Sequence, residues 1–503
     1  MNPLIRSILA PVAIALLSAL PAHAAATLNA LFSEHAVLQR QVDLPVWGTA
    51  DPYETVVIRI LGREGIATAG EDGRWRVTLP PLPACSIPTS ITVTDSTGSR
   101  QIGDIRVGDV WLCGGQSNME WPLRLSNNAD AEIAAASYPN IRHIKIAHRI
   151  ARDPIDTFSG EWQETTPESA PHFTAVGYFF ARQVHTELDV PIGLINSNWG
   201  GTPVESWLPR TAMDDLDTRV ASASHQARSY TNIANNLASY QTRLAAWKGD
   251  PEQEESGKPN APWTPGAENT ALVLNHGMIA PLAPFAMRGV IWYQGEGNGD
   301  QPATYHTLFP ALIQSWRDQF QQPELPFYWA QLASWGGGGS DNLDWGFLRE
   351  AQHAALQLPH TGQAILLDVG DEDDIHPRNK QAVGDRLARV ALAGTYGREV
   401  DYRGPTVSSV AVSGETATIT FAHAAGLHTS DDTAPRAFEI AGISGEFHPA
   451  DATLRDDVVT LTADAVSAPQ YVRYAWRRFN DVNLANAAGL PAEPFRTDDF
   501  PQP

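Results

Sequence analysis

Three short segments carry residue types that could do chemistry together. Gly114-Gly115-Gln116-Ser117-Asn118-Met119 sets a serine on a glycine turn directly after the apolar run Val110 to Cys113. Glycines let a chain turn sharply. A serine at such a turn projects its hydroxyl while its own N–H stays free for an oxyanion, but the hydroxyl needs a neighbouring base to become a nucleophile. Asp373-Asp374-Ile375-His376-Pro377 offers that base. A carboxylate two or three residues before a histidine can hold Nδ1–H and leave Nε2 to take a proton. Trp292-Tyr293-Gln294-Gly295-Glu296-Gly297-Asn298 offers carboxamides, and Asn198-Trp199-Gly200-Gly201 offers backbone N–H groups. Donors of either kind aimed at a developing oxyanion are worth several kcal/mol, about 2.7–4 each. Each segment also has a plain structural reading, as a glycine turn or an acidic surface loop.

Acting together requires elements that bring the segments to one place. From about residue 106 to 400, apolar strand-like runs alternate with helical spacing. Val110 to Cys113, Ile192 to Ser197, Val290 to Tyr293, Pro326 to Gln331 and Ala364 to Val369 read as buried strands. Ala175 to Leu188, Tyr305 to Phe320, Leu348 to Leu356 and Lys380 to Ala393 read as helices. This alternation predicts a doubly wound α/β domain with a parallel sheet. Ligands in such sheets sit beyond the carboxyl ends of the strands, where all three segments fall. Residues 211–265 interrupt the pattern with a polar helical stretch and a Pro/Glu/Gly-rich loop, an expected insertion.

The flanks read as β structure. Leu44 to Trp47, Val56 to Leu61, Trp75 to Leu79 and Ile91 to Thr94 are short strands parted by turn signals, the pattern of a small sandwich over 25–105. Pro45 confines the first of them to a strand start or a sheet edge. Val407 to Val412, Thr416 to Phe421, Val458 to Thr462 and Tyr471 to Tyr474 repeat the pattern over 404–503. The chain thus divides into an N-terminal β-sandwich, an α/β domain over 106–403 and a β-rich C-terminal region.

Composition narrows the function. The 503 residues carry 35 basic and 57 acidic side chains, a net charge of −22 that disfavours nucleic acid as a partner. Fifteen tryptophans supply both core and candidate sugar-stacking faces. Residues 1–24 read as an export signal: Arg6, an apolar run from Ile8 to Leu20, then Ala22-His23-Ala24 as a small-x-small cleavage site. The mature protein is expected to begin near Ala25, periplasmic or secreted, without a membrane span. Cys85 and Cys113 could pair or stay free, and no metal-ligand spacing is visible, so neither metal nor cofactor is expected.

Taken together, the segments resemble the SGNH-hydrolase superfamily and, within it, its sialate O-acetylesterase-like branch. The match rests on Val110 to Pro122, Ser197 to Trp207, Trp292 to Glu296 and Ile375 to Lys380, with support from Phe32 to Arg40, Asn275 to Ile279 and Gly489 to Arg496. The resemblance implies a three-layer α/β/α esterase that removes acetyl groups from sugar hydroxyls. It assigns Ser117 as nucleophile and His376 as base. The superfamily's spacing selects Asp373 as the orienting acid, while the branch's pattern selects Asp374. Oxyanion donors would be Ser117 N–H, an N–H at Gly200 or Gly201, and the carboxamide of Gln294, with Asn298 as its alternative. Glu296 would brace the loop. The acetylated sugar, whether sialate or a neutral plant glycan, stays open. A broader short-chain esterase or a non-catalytic sugar-binding protein are the competing readings.

Overall fold

The computed structural model describes residues 24–249, 257–259, 261–262, 266–337, 339 and 342–501. The expected signal segment thus falls, up to residue 23, outside the described residues. Near the N-terminus, Thr27–Leu28, Leu44–Thr49 and Arg74–Leu79 form a three-stranded antiparallel sheet. Pro45 sits where its strand has lost one neighbour, because Thr27–Leu28 pairs only with Gly48 and Thr49. Thr55–Ile60 alternates, turning Val56, Ile58 and Ile60 inward, and pairs with Arg63–Thr68 and Cys85–Asp95. Cys85 and Cys113 are both free thiols, the latter fully buried.

One strand links this region to the next. Gly98–Gly115 pairs antiparallel with Cys85–Asp95 along its first half. Its second half lies parallel to Ile192–Asn198 on one side and Gly289–Tyr293 on the other. The strand runs unbroken through residues 105 and 106, and a continuous apolar core joins the sheets it crosses. The central sheet has the order Trp162–Thr165, Tyr138–Lys145, Ile192–Asn198, Gly98–Gly115, Gly289–Tyr293, Phe327–Ala330, Thr361–Ala364. All neighbours are parallel except the first pair.

Successive residues of a strand face opposite sides of the sheet. Cys113 accordingly faces the helix Ala175–Leu188, where a Cβ on Gly177 would lie 3.0 Å from its sulfur. Gly114 faces Trp316 of the helix Pro302–Gln319. Ala175–Leu188 packs with Lys380–Gly394, and Pro302–Gln319 with Asp344–Ala354, giving three layers. Gly98–Gly115 comes first in the chain among these seven strands yet lies mid-sheet, and the strands that follow it fill first one side of it and then the other. That reversal leaves a crevice beyond its carboxyl end.

Two sequence expectations shift. Tyr138–Lys145 is a parallel strand that the apolar pattern does not announce, since it buries Arg142 and His143. The last strand is Thr361–Ala364 rather than Ala364 to Val369. Ile365 and Leu367 are indeed buried, but in a second core with Ile419, Ile440, Val459 and Val472. That core lies in two four-stranded antiparallel sheets of the C-terminal region. The expected insertion contains one long helix, Leu216–Gly249.

Candidate active site

The serine turn is built by a close approach of backbones. Gly115 has φ +135°, and a Cβ there would lie 2.1 Å from Tyr293 O, so only glycine fits. Gln116 N–H then donates to Tyr293 O at 3.0 Å, and its side-chain oxygen receives Gly297 N–H at 3.0 Å. Ser117 opens the single helical turn Ser117–Glu120. The first N–H groups of such a turn have no partner inside it. Gly200 crowds the same spot, where a Cβ would lie 3.2 Å from Ser117 Cβ.

The histidine arrives on the loop after Thr361–Ala364. Its Nε2 lies 2.8 Å from Ser117 Oγ. The Trp121 ring stacks on the imidazole at 5.1 Å between centroids, which fixes the ring's plane. Asp371 Oδ1 accepts the backbone N–H groups of both Asp373 and Asp374, at 2.9 and 3.1 Å. This turn exposes Asp373 and brings Asp374 to the ring. Asp374 Oδ1 accepts His376 N–H at 2.9 Å and stands 3.5 Å from Nδ1. Of the two candidate acids, Asp374 is the one whose carboxylate lies beside the ring. The ring contact is longer than a strong hydrogen bond.

Burial, and then the positive charge of Lys380, lower the pKa of His376 below its ordinary 6.5; Asp374 pulls it back up. The imidazole is consequently a free base at neutral pH. Lys380 is fully buried, 5.5 Å from the ring centroids of both Trp121 and Tyr293. Burial pushes its pKa down to about 7, against the pull of Glu296 and Asp374. Its ammonium donates to Asn118 Oδ1. Asn118 Nδ2 in turn donates to Glu296 Oε1 at 2.6 Å and to Ile375 O at 3.0 Å. Burial raises the pKa of Glu296. Asn118 thus ties the serine turn, the third segment and the histidine loop together. Sequence reading gave Glu296 a bracing role and gave Asn118, Trp121 and Lys380 none, although all three stand in the quoted motifs.

The oxyanion expectations fare unevenly. Gly200 N–H is taken by Glu120 Oε2 at 3.0 Å, whereas Gly201 N–H has no acceptor among the described residues. Gln294 is fully buried and its amide donates to Thr202 O at 3.2 Å and to Asn298 Oδ1 at 2.8 Å. Tyr305 O–H donates to Gln294 Oε1 at 3.1 Å. Asn298 donates to Glu205 Oε2 and accepts from Val204 N–H. Both carboxamides therefore act as struts under the glycine turns, and Gln294 has no amide hydrogen to spare.

Among the described residues, one group could offer metal ligands: His35, Asp104 and Glu164. Arg142 already bridges Asp104 and Glu164, each at 2.8 Å, and Arg106 also pairs with Asp104. These cations hold the carboxylates as a structural cluster. No helix among the described residues is long and apolar enough to cross a membrane.

Residues 107–243 and 257–393 match the carbohydrate esterase family described as sialic acid-specific acetylesterase. The sialate O-acetylesterase of Rattus norvegicus is 30% identical over 413 residues, 74% of this chain and 74% of the rat protein. That of Pongo abelii is 27% identical over 509 residues, covering 91% and 90% of the two chains. A solved carbohydrate acetylesterase from Xanthomonas citri is similar at TM-score 0.80 and 36% identity, over 94% of this chain and 100% of that one.

Proposed function

The chain belongs to the sialic acid-specific acetylesterase family of carbohydrate esterases and is a carbohydrate O-acetylesterase, and we propose that Ser117, His376 and Asp374 carry its chemistry. The observation that carries this reading is the 2.8 Å contact between His376 Nε2 and Ser117 Oγ at the crevice where the sheet order reverses. Ser117 Oγ attacks the acetyl carbonyl carbon as its proton passes to His376 Nε2. Ser117 N–H and Gly201 N–H stabilise the oxyanion. The tetrahedral species collapses, the sugar oxygen takes the proton from His376, and an acetyl-serine remains. Water then attacks the acetyl carbonyl carbon as its proton passes to His376, the bond to Ser117 Oγ breaks, Oγ takes that proton back from His376, and acetate leaves. Asp374 orients the imidazole and supports its transient positive charge. The lowered pKa of His376 supports this role, since a base must be unprotonated to act.

The substrate is an acetylated sugar. We further propose export, with residues 1–24 removed as a leader; N-terminal sequencing of the protein from periplasm or medium should read from about Ala25. The catalytic reading is tested by acetate release from acetylated sugars and by para-nitrophenyl acetate hydrolysis. Wild type should turn over both, and Ser117→Ala and His376→Ala neither. Equal rates for wild type and Ser117→Ala would sink it.

A further inference from the structure

The helix Leu216–Gly249 carries none of the catalytic groups, yet its placement is tightly specified. In its first half it buries only Thr218, Ser222 and His225. His225 Nδ1 is ion-paired with Glu205, which is fully buried behind the Gly200-Gly201 turn. Gln301 Nε2 donates to His225 O at 3.2 Å. A buried ion pair is a poor source of net stability but fixes one arrangement against others. Glu205 also receives Asn298 Nδ2 at 3.0 Å. The helix is therefore keyed to the struts beneath the active site.

The turns that follow form one wall of a cleft of about 330 Å³. Gln226, Ser229, Ile233 and Asn236 recur at three- and four-residue spacing, which places them on one helix face. Gly201, Glu296, Gly297 and Asp300 line the other side. These are neighbours of the site: Gly201 follows the glycine packed on Ser117, and Glu296 holds Asn118. Asn232 Nδ2 donates to Asp300 Oδ2 at 3.0 Å, tying the wall across the cleft. Tyr230 also lines it and is 65% exposed. Gln226 Nε2 is shut off from solvent without an acceptor among the described residues, a costly state that a ligand oxygen would relieve.

The chemistry of this lining is that of a sugar site. Amides and a hydroxyl supply both donors and acceptors for sugar hydroxyls, and an exposed aromatic face suits the C–H face of a pyranose ring. No lysine or arginine is among its described lining residues, and His225, which also lines it, is already paired with Glu205. We propose that it is a subsite for an uncharged sugar unit next to the acetylated one, with Tyr230 as its stacking face and Gln226 and Asn236 as hydroxyl partners. The proposal rests on the esterase reading of Ser117 and His376. It makes the inserted helix the part of the chain that distinguishes an acetylated glycan chain from a lone acetyl ester.

Acetate release is measured on acetylated monosaccharides and on the matching oligosaccharides in three series: acetylated xylose and xylo-oligosaccharides, acetylated glucose and cello-oligosaccharides, and free O-acetylated sialic acid and its sialyllactose. In at least one series kcat/KM should rise about tenfold with chain length, a difference of about 1.4 kcal/mol. Tyr230→Ala and Asn236→Ala, both at exposed positions, should remove most of that gain while leaving para-nitrophenyl acetate hydrolysis unchanged. No gain with length in any series, or a gain that survives in both variants, overturns the subsite. Ser117→Ala on para-nitrophenyl acetate tests the parent reading separately, so the two failures are told apart.

Discussion

Asp109 stands where strand Gly98–Gly115 begins to pair with Ile192–Asn198, and Ser117 stands just past the strand's end. Both neighbourhoods are buried and polar, but they treat charge in opposite ways. Asp109 is fully buried and surrounded by donors. Its oxygens accept from Gln39 at 2.9 Å, from Arg40 at 2.9 and 3.1 Å, from Arg288 at 2.9 Å and from Tyr396 at 3.0 Å. Burial raises its pKa, yet Arg40, Arg288 and Gln39 outweigh that and hold it below the usual 3.8. At the other end the balance tips toward the neutral forms. Burial lowers His376 and Lys380 and raises Glu296. Glu296 Oε2 is buried with no hydrogen-bond partner among the described residues. A cluster whose hydrogen bonds are all made can only hold the fold. A cluster with a free base, a shared amide and spare capacity can accept a proton and return it.

The largest effect expected on this contrast is at the serine. Ser117→Ala should lower kcat by about 10⁴-fold or more, judging from triad deletions elsewhere, with no change in the melting transition. Next comes Asp109→Asn, which leaves Arg40 and Arg288 facing a neutral group. It should cost about 3–5 kcal/mol of stability in denaturant titrations while the folded enzyme keeps its kcat. Because the folded pKa of Asp109 is depressed, its stabilisation is in full force above the unfolded carboxylate pKa. It is lost only as pH falls through the folded value, so the variant's deficit should shrink in strong acid. If this variant lost activity at unchanged stability, the division between the two ends would fail.

Smaller effects sharpen the catalytic end. Asp374→Asn should reduce kcat about 100-fold, less than the loss of about 10⁴-fold seen where the acid is buried against the histidine, because the contact here is 3.5 Å and partly exposed. Asp373→Asn, pointing to solvent, should stay within about twofold of wild type by the usual small effects of surface changes; a reversed pair of results would restore the superfamily spacing. Lys380→Met should reduce kcat/KM about tenfold, about 1.4 kcal/mol. It should also move the acid limb of the pH profile upward. Removing that nearby cation favours imidazolium, so the pKa of His376 rises and activity fades at a higher pH. A lower rate with an unmoved limb would reduce Lys380 to packing alone.

Ser117 and His376 were legible in the sequence because their signals are local. A glycine turn that only glycine can make and a histidine just after carboxylates are both properties of a few consecutive residues. The order of helices and strands was legible for the same reason, since periodicity reports burial. Periodicity does not say what the burial is against. Ile365 and Leu367 read as strand because they are apolar, but they belong to the C-terminal core. Tyr138–Lys145 stayed hidden because its buried Arg142 and His143 break the pattern. Only the fold brings Asp104 and Glu164 to Arg142 and stacks Phe173 on His143. Asp373 and Asp374 are neighbours with equal chemistry, and a turn pinned by Asp371 places only the second beside the imidazole. Gln294 looked like an oxyanion donor by its place at a strand end. Its amide hydrogens were assigned by Thr202 and Asn298, partners that the chain meets only once it is folded. Residue types and local turns are written along the chain, but the direction of a hydrogen bond belongs to whatever the fold places opposite it.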